Sequence, residues 1–154
     1  MRQNKTVFSL RPASLSDVEA LAGLVTELGY PTSLEEMRVR LQAVLEDADY
    51  DTFVARVGER VVGFVGTRLG PVYEANGLQG QIMALVVADG YRRMGIGRAL
   101  MRAALENLEA RGATSTIVNT GRQRAGAHAF YEALGFEFTG RRYRKAKPTD
   151  RSEL

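Results

Sequence analysis

The chain has no cysteine and a single histidine, His128, among its 154 residues. The first absence excludes a disulfide framework, a thiolate metal site and a cysteine nucleophile. The second leaves neither a zinc set nor a Ser/His dyad as a reasonable expectation, so metal-free chemistry is expected. Also missing is any run near the roughly 18 apolar residues that a membrane span requires, and the opening "MRQNKTVFSLRPASL" has no apolar core of signal-peptide type. A soluble, cytoplasmic protein without a membrane partner is expected. The length suits a single domain, 1–154, with a core that needs no staples.

What is present is charge, unevenly placed. Residues 1–88 carry 8 Lys/Arg against 11 Asp/Glu, and residues 89–154 carry 13 against 7, so the formal net charge of +3 arises wholly in the second part. That part ends in the basic stretch "GRRYRKAKPTDR", with a tail at about 145–154. A solvated face or a nucleic-acid contact would each suit it. Single-strand platforms also need exposed stacking rings, and most aromatics here fall at apolar periodic positions, so no nucleic-acid partner is expected.

"TVFSLRPAS" reads as a strand stopped by Pro12. Ser16 and Glu19 then form a capping-box pair before Val18, Leu21, Leu24, Val25 and Leu28, a helix ending near Gly29. A second box, Ser33 with Glu36, precedes the stripe Leu34, Met37, Leu41, Val44, Leu45. "YDTFVARV" and "RVVGFVGTRLG" form a hairpin through Gly58 and Glu59. "QIMALVV" is a continuous apolar run expected in a central strand covered on both faces. A long helix with the stripe Leu100, Met101, Ala104, Leu105, Leu108 stops at Gly112. The strand "STIVNT", the helix "GAHAFYEAL" closed by Gly135, and a last strand in "FEFTGRRYRK" complete the chain. The order β-α-α-β-β-β-α-β-α-β predicts an α/β (α+β) fold, helices on a mixed sheet.

The most informative stretch is "DGYRRMGIGRALM", a strand-to-helix turn with glycines and arginines, which suits a phosphate. Gly90 and Gly95 fit the start of a nucleotide-triphosphate loop, but Ile96 and Gly97 stand where Lys and Ser/Thr are required. Gly95 and Gly97 fit a dinucleotide fingerprint, but its third glycine is Leu100 and no acid ends "STIVNT". The remaining pattern is R-x-x-G-x-G, from Arg92 to Gly97.

With this pattern the chain resembles the Gcn5-related N-acetyltransferase (GNAT) family: "GERVVGFV" is similar to its central hairpin, "IMALVVADGYRRMGIGRALM" to its acyl-CoA motif, "IVN" to its fifth strand and "AFYEALGF" to its last helix. The resemblance implies a GNAT-like acyl-CoA N-acyltransferase fold. It implies that the backbone N–H groups of Arg92, Arg93, Met94, Gly95, Ile96 and Gly97 cradle the pyrophosphate of acetyl-CoA, with Arg92, Arg93 and Arg98 adding charge. Splayed fourth and fifth strands would let Leu85, Val86 and Val87 offer backbone groups to the pantetheine arm and the acetyl carbonyl, an oxyanion stabiliser. Asn119 matches a position near the pantetheine, and Arg124, where many relatives have asparagine, would meet cofactor phosphates or solvent.

Tyr131 matches the family tyrosine that protonates the departing thiolate, a role open to a phenol with an ordinary pKa near 10. Many relatives carry a glutamate base on the fourth strand; here Met83 and Ala84 stand there. Gln79, Gln81, Glu74, Tyr73 or Glu27 would order a water instead, or the amine would arrive neutral. His128, one turn before Tyr131, is expected to pack or face solvent. With no cysteine, direct transfer in a ternary complex is expected, to a small-molecule or peptide amine. The acidic run "LEDADYD" suggests a cationic one, and dimers are common among relatives. A non-catalytic acyl-CoA-binding module is the alternative that the missing glutamate leaves open.

Overall fold

The computed structural model describes residues 7–119, 127–140 and 143–148. The chain divides into two compact units, Met1–Val118 and Asn119–Leu154. The first holds β1 (Ser9–Pro12), α1 (Val18–Leu28), α2 (Leu34–Leu45), β2 (Tyr50–Val57), β3 (Arg60–Pro71), β4 (Leu78–Val87), α3 (Ile96–Ala110) and β5 (Ala113–Val118). The second holds α4 (Ala127–Ala133).

The five strands lie in sequence order, antiparallel from β1 to β4. The crossover through α3 returns the chain so that β5 runs parallel to β4. Gly58 turns the β2–β3 hairpin at φ 60°, and Pro12 sits at the end of β1, an edge strand that tolerates a missing donor. Register fixes the faces. A Cβ built on Gly63 would meet Leu100 and Ile96, and one on Gly80 would meet Leu108, so the face carrying Gly63, Val65, Thr67 and Leu69 lies under α3. The opposite face, with the buried Val54, Val62 and Phe64, is covered by α1 and α2. On α3 the stripe Leu100, Met101, Ala104, Leu108 is buried, joined by Ile96 from the first turn, and Leu105 is half-buried.

The Ser33–Glu36 box forms as expected: Glu36 N donates to Ser33 Oγ (3.1 Å) and Ser33 N to Glu36 Oε1 (2.9 Å). The expected Ser16–Glu19 box does not. A single turn, Leu15–Asp17, precedes α1, and Ser14 N donates to Asp17 Oδ2 at 2.9 Å. Asp17 takes this place because Arg11 grips both its oxygens at 2.8 Å, at a position only 4% exposed. The Arg11 hydrogen bonds, with the one from Ser14, hold the Asp17 carboxyl below the usual carboxylate range. Gly29 closes α1 at φ 117°, with Tyr30 N donating to Val25 O.

The last expected strand is corrected. Residues 136–140 and 143–148 carry no strand: the hydrogen bond that opens the segment goes back to α4 and not across to a neighbouring strand. Phe136 N instead turns back to Tyr131 O at 3.0 Å, and Tyr143 is exposed. Expected burial of α2 is also only partly met: Met37 and Leu41 are buried, while Leu34 and Leu45 are exposed.

Candidate active site

The run "QIMALVV" is not the uniformly covered strand its composition suggests. Thr67 pairs with Ile82 and Gly66 with Ala84, so Met83 is an extra residue, a β-bulge, and it is 45% exposed. Pairing with β5 ends at the same place, at Ile82 opposite Val118, while β4 runs on to Val87. Among the described residues, Ala84–Val87 therefore pairs on its β3 side and has an open edge on the β5 side.

Which backbone groups face that edge follows from alternation. Ala88 N donates to Val62 O at 2.8 Å, so the ladder bonds to β3 fall on Ala88, Val86 and Ala84. The N–H and C=O groups of Leu85 and Val87 point the other way, into the open edge, whereas Val86 spends its own on Phe64. Periodicity could not reveal this split, because a bulge leaves no apolar signature.

After β4 the chain makes a short turn, Asp89–Tyr91, then leaves extended at Arg92. Arg93 adopts φ 65°, a left-handed conformation that a non-glycine residue rarely holds, and Gly95 follows at φ 85° as the N-cap of α3. A left-handed residue entering a right-handed helix turns successive amides toward one point, a nest. The first helical bond is from Ala99 N to Gly95 O (3.0 Å), so the amides of Gly95, Ile96, Gly97 and Arg98 precede the ladder. A Cβ at Gly95 would meet no atom within 4 Å. Donors without a helical partner, the positive end of a 15-residue helix and open space suit an anion.

The arginines divide in two. Arg92 is engaged at home: Nη1 lies 3.2 Å from Asp89 Oδ1 and Nε donates to Val87 O at 3.4 Å. Arg93 and Arg98 are exposed, as is Met94. A further cation, not expected from the motif, comes from the hairpin: the Arg60 guanidinium lies 5.5 Å above the ring of Tyr91. Glu27, one of the residues considered for ordering a water, instead accepts a hydrogen bond from Asp89 N at 2.6 Å. Gln79 and Gln81 are half-buried on the α1/α2 side of β4, and Tyr73 and Glu74 are exposed in the loop before it. In the acidic run, Asp51 is ion-paired with Arg111 and accepts from Asn107 Nδ2 at 2.9 Å, and Asp47 accepts from Asp49 N.

In the second unit, Tyr131 is half-buried and meets Phe130 and Phe136 edge-on, with ring centroids 5.5 and 6.0 Å away. His128 stacks on Phe138. Asn119 is exposed immediately after β5, and Arg124 lies outside the described residues. Among the described residues, no group of His, Asp or Glu could hold a metal ion, and no helix is long and apolar enough to cross a membrane.

The sequence profile of the acetyltransferase (GNAT) family matches residues 18–136. The chain is 35% identical over 101 residues to N-acetyltransferase 8B of Rattus norvegicus, covering 64% of this chain and 45% of that protein. It is 34% identical over 90 residues to the [ribosomal protein bS18]-alanine N-acetyltransferase of Escherichia coli strain K12, covering 55% and 61%. The chain thus spans about half the length of the first of these relatives. Among solved structures, the aminoglycoside N-acetyltransferase AAC(6')-Iy in complex with CoA superposes with a TM-score of 0.81 at 18% identity, covering 96% of this chain and 99% of that one. At that identity it shows the fold.

Proposed function

Because the chain belongs to the acetyltransferase (GNAT) family, we propose that it is an acetyl-CoA-dependent N-acetyltransferase acting on a primary amine of a small molecule or peptide, by direct attack in a ternary complex. The observation that carries the reading is the coincidence, within one unit, of an open edge at Leu85 and Val87 with a nest of amides at Gly95–Arg98. A linear ligand with a polar amide arm and a pyrophosphate needs both features in line. The match, residues 18–136, extends past residue 118, which supports one acetyltransferase domain.

Each group then has a task. The amides of Gly95 to Arg98 hold the pyrophosphate, with Arg93 and Arg98 supplying cations and Arg92 shaping the turn. The edge N–H groups of Leu85 and Val87 bind the amide arm and polarise the thioester carbonyl as charge develops on its oxygen. Tyr131, on the strength of the family tyrosine it matches, gives its phenolic proton to the thiolate as the carbon–sulfur bond breaks. The amine nitrogen forms the new bond and loses its proton to solvent, directly or through a water held by Gln79 or Gln81. Holding the reactants in line supplies much of the rate.

Two relatives are named for amine acceptors, an alanine of a ribosomal protein and an aminoglycoside, which supports an amine here. The preference for a cationic acceptor rests on Glu46, Asp47 and Asp49, since Asp51 is already paired. A panel of amines tests it, and faster turnover of anionic acceptors removes it.

The cofactor is tested first, by thermal unfolding with acetyl-CoA and with NAD and ATP as controls. At about 100-fold above the dissociation constant, binding adds about 2.7 kcal/mol, a rise of about 5–10 °C for a chain of this size. A rise with acetyl-CoA alone is the expected result. No rise would remove the acetyl-CoA reading.

A further inference from the structure

Glu27 is badly placed for its own helix. It lies in the last turn of α1, where the exposed carbonyls and the helix dipole disfavour a carboxylate. It also adds negative charge beside a loop whose amides and arginines suit an anion. The compensation is its contact 62 residues away, the 2.6 Å hydrogen bond from Asp89 N to Glu27 Oε1. Asp89 opens the Asp89–Tyr91 turn, so its amide is one of the donors that a turn leaves without a partner of its own. Tyr91 N closes that turn onto Ala88 O at 2.9 Å, and the Asp89 carboxylate reaches forward to Arg92, which returns to Val87 O. The three side-chain contacts, Glu27 to Asp89, Asp89 to Arg92 and Arg92 to Val87, form a continuous clasp from α1 through the turn to the last residue of β4.

We propose that Glu27 is a positioning residue for the cofactor loop: its carboxylate caps the turn at Asp89 and so holds Arg92 to Gly95 in the conformation that presents the amides of α3 to phosphate. The left-handed Arg93 gives the reason such a brace is needed. A non-glycine residue at φ 65° is held in a strained, sparsely populated conformation, and the loop relaxes if the turn before it is free to fray. This proposal rests on the acetyl-CoA reading of the site.

Two effects of removing the side chain oppose each other, and their sign decides the matter. Loss of negative charge favours an anionic ligand; loss of the cap disfavours it. Glu27→Gln removes the charge but keeps a carbonyl oxygen for Asp89 N, whereas Glu27→Ala removes both. The test is calorimetric titration of coenzyme A into the full chain and both variants, with unfolding of the free proteins and amide exchange at Asp89. In Glu27→Ala, affinity is expected to fall about fivefold or more, the factor matching about 1 kcal/mol for one hydrogen bond. Its Asp89 amide is expected to exchange faster by a similar factor, while Tm moves by less than about 2–4 °C. Glu27→Gln should bind at or above the wild-type level. Unchanged or tighter binding by Glu27→Ala would overturn the proposal, as would Glu27→Gln failing alongside it. Wild-type protein that takes up no coenzyme A removes the cofactor reading itself, and this proposal with it.

Discussion

Ile82 faces Val118 at the last paired position of β4 and β5, and the next residue of β4, Met83, is the bulge. Among the described residues the strand beyond is bonded on one side alone, and the donors it leaves over belong to Leu85 and Val87. Replacing Leu85 by proline removes an edge N–H without removing a bond to β3. Leu85→Ala keeps the N–H and loses only side-chain packing. Coenzyme A affinity should fall about fivefold in Leu85→Pro relative to Leu85→Ala, measured by titration of both folded variants. Equal affinities would mean that the Leu85 amide does not bind the ligand.

Gly95 should tolerate no side chain, for conformational and not spatial reasons. Its φ is 85°, and a Cβ would meet nothing within 4 Å. Gly95→Ala is expected to cost about 1–2 kcal/mol, lowering Tm by a few degrees, and to weaken coenzyme A binding. Gly90→Ala, also in open space but without the positive φ, serves as the control and should leave both quantities nearly unchanged.

The Arg11–Asp17 pair should shape stability at low pH. Asp17 has its carboxyl lowered by the Arg11 hydrogen bonds. Its contribution is therefore complete above the unfolded-state value of about 3.9 and is lost as pH falls through the lower folded value. Denaturant unfolding from pH 6 to pH 2 should show this loss, and Asp17→Asn should flatten it. Arg11→Ala leaves the Asp17 carboxylate, 4% exposed, with the Ser14 N–H as its remaining donor and should cost about 1.5–3 kcal/mol at neutral pH.

Tyr131→Phe tests the proton donor. If its phenol protonates the thiolate, kcat should fall about a hundredfold while KM for acetyl-CoA stays within about twofold, because the groups proposed to hold the pyrophosphate lie elsewhere in the chain. An unchanged kcat would return Tyr131 to a packing role with Phe130 and Phe136.

With an acceptor in hand, initial rates at varied concentrations of both substrates should give intersecting lines. Parallel lines would indicate a covalent intermediate, for which this chain has no cysteine.

The sequence by itself determined what local chemistry can: the second capping box, the stops at Gly29 and Gly112, the hairpin at Gly58, the stripe of α3 and the glycine-arginine turn that opens it. These follow from periodicity, caps and positive φ, each written within a few neighbouring residues. Tertiary structure alone decided the rest. Asp17 displaced Glu19 as the capping acid because Arg11, on a strand, reaches it. The bulge at Met83 arises from register against β3, and only the end of pairing with β5 shows which backbone groups of β4 are left over. Glu27 became a brace, and not a free carboxylate, because α1 ends beside a turn 62 residues further along. Hydrogen bonds between distant segments depend on where the sheet brings them, and no spacing along the chain records that.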